Sequence, residues 1–240
     1  MHVQLAFHHG ESPLSVPNVL MYVAVAVDTF RDKPLAKSRA ALLKHVPKLL
    51  AASLGLVASR YVGGTQGPPL LLHALAGAIH IFSALQMFGS VLSVLYLAVA
   101  RIEVPELMQN PQNAQTLQDF WGKRWNSVVQ QSLYFYIYSP LRRSGVNKPI
   151  CVIATFSFSG LLHAYAMWAA GSDLLSCLSV AGYFVVQAIL LLVEGLLLLM
   201  LPQNCTSSLT GSVLLKLWTF SCILLPLPLA TEPIFDMPSQ

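Results

Sequence analysis

ICVIATFSFSGLLHAYAMWAAGSDLLSCLSVAGYFVVQAILLLVEGLLLLML runs from Ile150 to Leu201. It holds two long apolar runs, Ile150–Ala170 and Leu174–Leu201, separated only by Gly171-Ser172-Asp173. A helix needs ~20 apolar residues to cross a bilayer core, and both runs meet that length. Gly beside Ser and Asp marks a tight turn, so the two helices are expected to lie antiparallel. The stretch predicts an all-α, multi-pass transmembrane bundle.

Composition agrees. Of 240 residues, 55% are hydrophobic and 10% charged, and mean hydropathy is +0.61. Soluble domains carry about a quarter charged residues, so a water-soluble globular class is excluded. Four further apolar stretches are expected to span: Leu14–Phe30, Val46–Val62, Leu70–Ala100 and Gly211–Ala230. That makes about six spans in a single membrane-embedded domain over residues 1–240. Leu70–Ala100 is long for one upright span and short for two; one tilted helix is expected over a break near Gly89-Ser90. Lys48 and Arg60 can snorkel to opposite interfaces. No small-residue cleavage site follows a short apolar run near the N-terminus, so no removable signal peptide is expected.

The net charge is +4, and its placement matters more than its size. Apart from Arg60 and Lys216, the 14 Lys and Arg fall in two groups. One is Arg31, Lys33, Lys37, Arg39, Lys44 and Lys48; the other is Arg101, Lys123, Arg124, Arg142, Arg143 and Lys148. Basic loops stay cytoplasmic, so both groups are expected on one side, with the Gly171 turn opposite. On that topology Asn204, in the acceptor pattern Asn204-Cys205-Thr206, faces the cytosol and carries no glycan. Cys151, Cys177, Cys205 and Cys222 lack metal or redox spacing and read as small core residues. His73 and His80 can share a helix face, where packing or hydrogen bonding is expected over metal binding.

Two polar anomalies interrupt the apolar pattern. LQDFWGKRWN, Leu117–Asn126, packs tryptophans, a phenylalanine, adjacent cations and an asparagine into ten residues. Thr116 and Asp119 have capping-box spacing, so a helix is expected to start at Leu117. Trp121 and Trp125, four apart, would then share an aromatic face running on to Val128 or Val129. The aromatic run through Tyr134, Phe135, Tyr136 and Tyr138 is expected to stop at Pro140. Indoles beside cations suit the headgroup region, so the stretch predicts an interfacial amphipathic helix; Asn126 does not serve an anchor. The second anomaly is His163, inside a span with Ser159 and Gly160 on its side. An ionisable residue within a membrane helix is a functional candidate by default, against the plainer reading of a hydrogen-bonded packing histidine. Glu194 is a third buried ionisable residue, paired or facing a wet cavity.

TLQDFWGKRWN (Thr116–Asn126), then IYSPLRR (Ile137–Arg143), then SGLLHAYAMW (Ser159–Trp168) resembles the plant-type wax synthases. These are long-chain-alcohol O-fatty-acyltransferases related to the membrane-bound O-acyltransferases (MBOAT). The resemblance covers about Val104–Pro233. It departs from the family at Lys123, where Arg is usual, at Ala164, where an acid often follows the His, and in a shorter N-terminal part. It implies transfer of a fatty acyl group from acyl-CoA to a lipid alcohol, with a fatty alcohol ahead of sterol or diacylglycerol. A non-catalytic relative that binds acyl-CoA is the alternative. By the same resemblance His163 is the catalytic histidine and Asn126 its assisting polar residue. Trp121, Lys123, Arg124, Trp125, Arg142 and Arg143 are then candidates for acyl-CoA binding. The chemistry matches: His can take the hydroxyl proton near neutral pH, and an amide can donate to an oxyanion. No metal or bound cofactor is implied. The expected partners are acyl-CoA, lipid alcohol and membrane lipids, not nucleic acid, and the expected location is the endoplasmic reticulum.

Overall fold

The structure, a computed structural model, describes residues 40, 42–64, 69–100, 106–200 and 209–235. The described residues are helical, without strands. They comprise α1 (His45–Gly63), α2 (Leu70–Ala100), α3 (Leu117–Asp119), α4 (Ser127–Leu133), α5 (Ser139–Arg143), α6 (Lys148–Ala169), α7 (Leu174–Met200), α8 (Leu209–Leu224) and α9 (Pro228–Phe235). A 3₁₀ turn at Pro111–Asn113 and wide π-helical turns at Phe120–Arg124 and Tyr134–Tyr138 fill the connections.

Two antiparallel hairpins organise the molecule: α1 packs on α2, and α6 packs on α7. Small residues let the helices approach. A Cβ on Gly55 would overlap the Ser83 hydroxyl, and one on Gly160 would stand 3.0 Å from the Ala181 carbonyl oxygen. Such small-residue contacts are how helices associate where lipid removes the usual hydrophobic drive. α9 joins the hairpins. It packs on α7 and α2; Phe235 sets its ring edge-on to His73 and His80 at 5.3 and 5.5 Å, and Arg60 donates to the Ile234 carbonyl. His80 also shares a 3.1 Å hydrogen bond with Ser59. The His pair therefore packs on Phe235, with His80 alone also hydrogen-bonded through its side chain, and Arg60 is spent on the protein rather than snorkelling. Lys48 likewise pairs with Glu106.

Among the described residues three helices are long and apolar enough to span: Leu70–Val99, Lys148–Ala169 and Leu174–Met200. Their outer faces are apolar and open: Leu175 is 78% exposed and Leu199 84%, a surface suited to lipid. The count is below the six expected, for three reasons. Leu14–Phe30 lies outside the described residues, as do His8, His9, Arg31, Lys33, Lys37, Arg39, Arg101 and Asn204–Thr206. α1 forms where expected, but Lys48 and Arg60 dilute its apolar character. The last expected span, Gly211–Ala230, breaks: α8 stops at Leu224, and α9 leaves it bent by 45°, so the pair makes one broken span or a re-entrant segment. Pro226 and Pro228 remove two helical N–H donors at that break. Leu70–Ala100, by contrast, is the single helix expected.

Candidate active site

The LQDFWGKRWN segment is not one amphipathic helix. Thr116 caps the Asp119 N–H through its hydroxyl at 2.9 Å, so the helix does start at Leu117. One turn later it widens: the Trp125 N–H reaches back five residues to the Phe120 carbonyl. Trp125 is then extended and Asn126 left-handed, with φ 45°, which ends the helix before α4 begins. Tertiary bonds impose this path. The Gln109 N–H donates to the Arg124 carbonyl at 2.8 Å and the Ser127 N–H to the Leu107 carbonyl at 2.9 Å. Arg124 adds a 2.6 Å ion pair with Asp119 and bonds to the Gln109 and Asn110 carbonyls.

This break separates Trp121 and Trp125 from Val128 and Val129, which are exposed. The aromatic side chains turn inward. Phe120 is buried with Leu117, Ala114, Cys222 and Ile223, and both tryptophans pack on that cluster. Trp125 stacks on Phe120 at 5.2 Å. Trp121 meets Phe156 of α6 at 5.8 Å and Phe184 of α7 at 6.3 Å. The exposed aromatics are instead Tyr134, Phe135 and Tyr136, downstream. Nor does that run stop at Pro140. Pro is tolerated in a first helical turn, and α5 carries on to Arg143, ending ahead of Gly145 at φ 84°.

α7 holds the segment from the other side. Glu194, 2% exposed, accepts the N–H groups of Leu117 at 2.9 Å and Gln118 at 3.3 Å. A carboxylate on the free N–H groups of a helix start is a favourable pairing. The Trp218 indole faces the same carboxylate but lies outside hydrogen-bond geometry. Gln187 is fully buried and accepts the Trp121 Nε1–H at 3.1 Å. Sequence reasoning missed Gln187, although a carboxamide seven residues before Glu194 marks one polar stripe on an apolar helix.

His163 lies on α6, exposed on one side and resting on Phe184 on the other, with ring centroids 4.4 Å apart. Its Nδ1 is 2.8 Å from the Ser159 carbonyl oxygen. A carbonyl only accepts, so Nδ1 carries the proton and Nε2 keeps a free lone pair. Asn126 caps α4, its Oδ1 accepting the Val129 N–H at 3.4 Å, which leaves its NH₂ group to donate elsewhere. The two side chains share no hydrogen bond in this structure. Trp121 and Phe184 link their neighbourhoods.

Of the candidate cations, Lys123 and Arg143 are exposed, Arg142 donates to the Val146 carbonyl, and Arg124 is engaged as above. Lys148, where α6 begins, is separated from His163 by roughly 22 Å of helix at 1.5 Å per residue.

Residues 104–186 match the profile of the membrane bound O-acyl transferase family. The kinship read from the motifs is thus shown. "Probable long-chain-alcohol O-fatty-acyltransferase 7" of Arabidopsis thaliana is 34% identical over 101 residues, 39% of this chain and 29% of that protein. "Probable long-chain-alcohol O-fatty-acyltransferase 9" from the same plant is 26% identical over 171 residues, 67% of this chain and 50% of its own. "Acyl-CoA--sterol O-acyltransferase 1" of Arabidopsis thaliana is 32% identical over 114 residues, 45% and 33% of the two chains. The chain thus spans half or less of the length of these wax synthase and sterol acyltransferase relatives. The matched region holds the LQDFWGKRWN loop, α6 and the first half of α7, where His163, Trp121 and Phe184 meet.

Proposed function

We propose that this chain is a membrane O-acyltransferase that moves a fatty acyl group from acyl-CoA to the hydroxyl of a long-chain alcohol. The observation that carries the reading is the His163 tautomer: its Nδ1–H is held by the Ser159 carbonyl, and Nε2 is left basic on an accessible face. In the proposed reaction Nε2 takes the alcohol proton while the oxygen attacks the thioester carbonyl. The Asn126 NH₂ donates to the resulting oxyanion. The carbon–sulfur bond breaks, and the imidazolium returns the proton to the departing thiolate. The step calls for no cofactor.

Lys123, Arg124, Arg142 and Arg143 receive the CoA phosphates at a headgroup-level mouth, with Trp121 and Trp125 behind them. The apolar outer faces admit acyl chain and alcohol from the bilayer, and the endoplasmic reticulum is the proposed membrane. Similarity to the long-chain-alcohol O-fatty-acyltransferases supports a fatty alcohol acceptor. A sterol acceptor is the second reading, supported by the likeness to an acyl-CoA–sterol enzyme.

The test is to supply membranes containing the protein with labelled acyl-CoA and a panel of fatty alcohols, sterols and diacylglycerol. Ester on the fatty alcohols, absent with His163→Ala, is the expected result. No ester with any acceptor would overturn the reading in favour of a non-catalytic acyl-CoA binder.

A further inference from the structure

Pro226 lies four residues after Cys222 and has no N–H, so the Cys222 carbonyl loses the donor that would continue the α8 ladder. Gln187 replaces it: its Nε2 donates to the Cys222 carbonyl at 2.9 Å. The other end of the same carboxamide accepts the Trp121 Nε1–H. An indole N–H only donates and a carbonyl only accepts, so the amide can stand one way round. Gln187 is fully buried, which leaves no room for solvent to substitute for either bond. Residues just beyond the bend reinforce the link. Leu227 and Ala230 share a buried cluster with Tyr183 and Phe184, against which Trp121 also packs.

We propose that Gln187 is a positioning residue: its one carboxamide couples the bend between α8 and α9 to the orientation of Trp121, and so fixes where His163 stands. The path is short. Trp121 contacts Phe184, and Phe184 carries the His163 ring. This proposal rests on the acyltransferase reading for its catalytic part only; the coupling of Gln187 to Trp121 is read separately.

Gln187→Met keeps the volume and removes both hydrogen bonds, and Trp121→Phe removes the same bond from the other side. The protein is labelled with 5-fluorotryptophan, and the Trp121 fluorine signal is assigned by its loss in Trp121→Phe. Gln187→Met should shift that signal and lower kcat about 10–100-fold, the scale of a small misplacement at a reacting centre. KM for the alcohol, which Trp121 is not proposed to bind, should stay within about twofold. Adding Trp121→Phe to Gln187→Met should cost little more, because both act on one bond. An unmoved Trp121 signal would overturn the proposal, as would fully multiplying losses or a rise in KM alone. If the wild-type protein esterifies no alcohol, the proposed function fails. The fluorine shift then still decides whether Gln187 orients Trp121.

Discussion

The carbonyl oxygen of Ala181 lies 3.0 Å from the point where a Cβ on Gly160 would stand, with Phe184 Cβ at 3.2 Å. α6 and α7 are therefore in backbone contact one turn from His163. Gly160→Ala must push the helices apart by some tenths of an ångström. Overpacking of this kind costs about 1–3 kcal/mol, and the displacement reaches the His163–Phe184 contact. Thermal unfolding in detergent should show the loss, with acyl transfer falling alongside. Gly182→Ala is the control, because a Cβ there meets nothing within 4 Å; equal destabilisation by both would contradict the close approach.

His163→Ala should lower ester formation by about 10²–10⁴-fold, the usual worth of a general base. The side chain is exposed and touches mainly Phe184, so the protein should still accumulate in membranes. Near-normal turnover in the variant would remove His163 from the mechanism.

Glu194→Ala should loosen the LQDFWGKRWN loop. It leaves the Leu117 and Gln118 N–H groups unpaired, at about 1–3 kcal/mol for a buried donor. Limited trypsin digestion reads this directly, since Lys123 and Arg124 sit in the loop. Cleavage there should speed up several-fold relative to cleavage at Arg142 and Arg143, and an unchanged pattern would mean that α7 does not hold the loop.

Lys123 and Arg124 should part company on charge reversal. Lys123→Glu should raise KM for acyl-CoA with little effect on stability, because the side chain is exposed. Arg124→Glu should also destabilise the loop, since it sets two acids, itself and Asp119, at one ion pair. Identical kinetic and stability effects from the two would count against this division.

Asp173 opens α7 by accepting the Ser176 N–H at 2.9 Å and its hydroxyl at 2.8 Å. These bonds, the backbone one first, hold its carboxyl below the ordinary value of 3.8. A lowered folded pKa means the cap stabilises above the unfolded pKa and fades as pH falls through the folded one. Melting temperature followed from pH 6 downward should therefore drop below about pH 4, and less steeply in Asp173→Asn. Parallel curves would show that the cap plays no part in acid sensitivity.

The ends of α6 and α7 were legible within two residues, because long apolar runs bounded by Asn147-Lys148 and the Gly171 turn leave few alternatives. The loop was not. Its aromatics and cations form the pattern of a membrane-surface helix, and local spacing cannot tell that surface from a core. Gln187, 66 positions away, settles the direction of Trp121, and bonds from Gln109 and Ser127 set the π-helical turn that breaks the helical register. The bend after α8 was written in Pro226 and Pro228 and was outweighed by the apolar run around them. His163 was singled out because an imidazole is rare among apolar neighbours; its tautomer needed the Ser159 carbonyl.

Phe235 between His73 and His80 bears on the order in which the chain can be built. α1 and α2 leave the ribosome long before α9, the helix that pins them to α7. The first hairpin is complete while more than half of the chain is still to be made, and until α9 emerges it must stand in the membrane without this clasp. Chains truncated just before Pro228 should therefore be cut between the hairpins by a protease that spares the 240-residue chain. Equal resistance of the two chains would show that the hairpins find each other without the clasp.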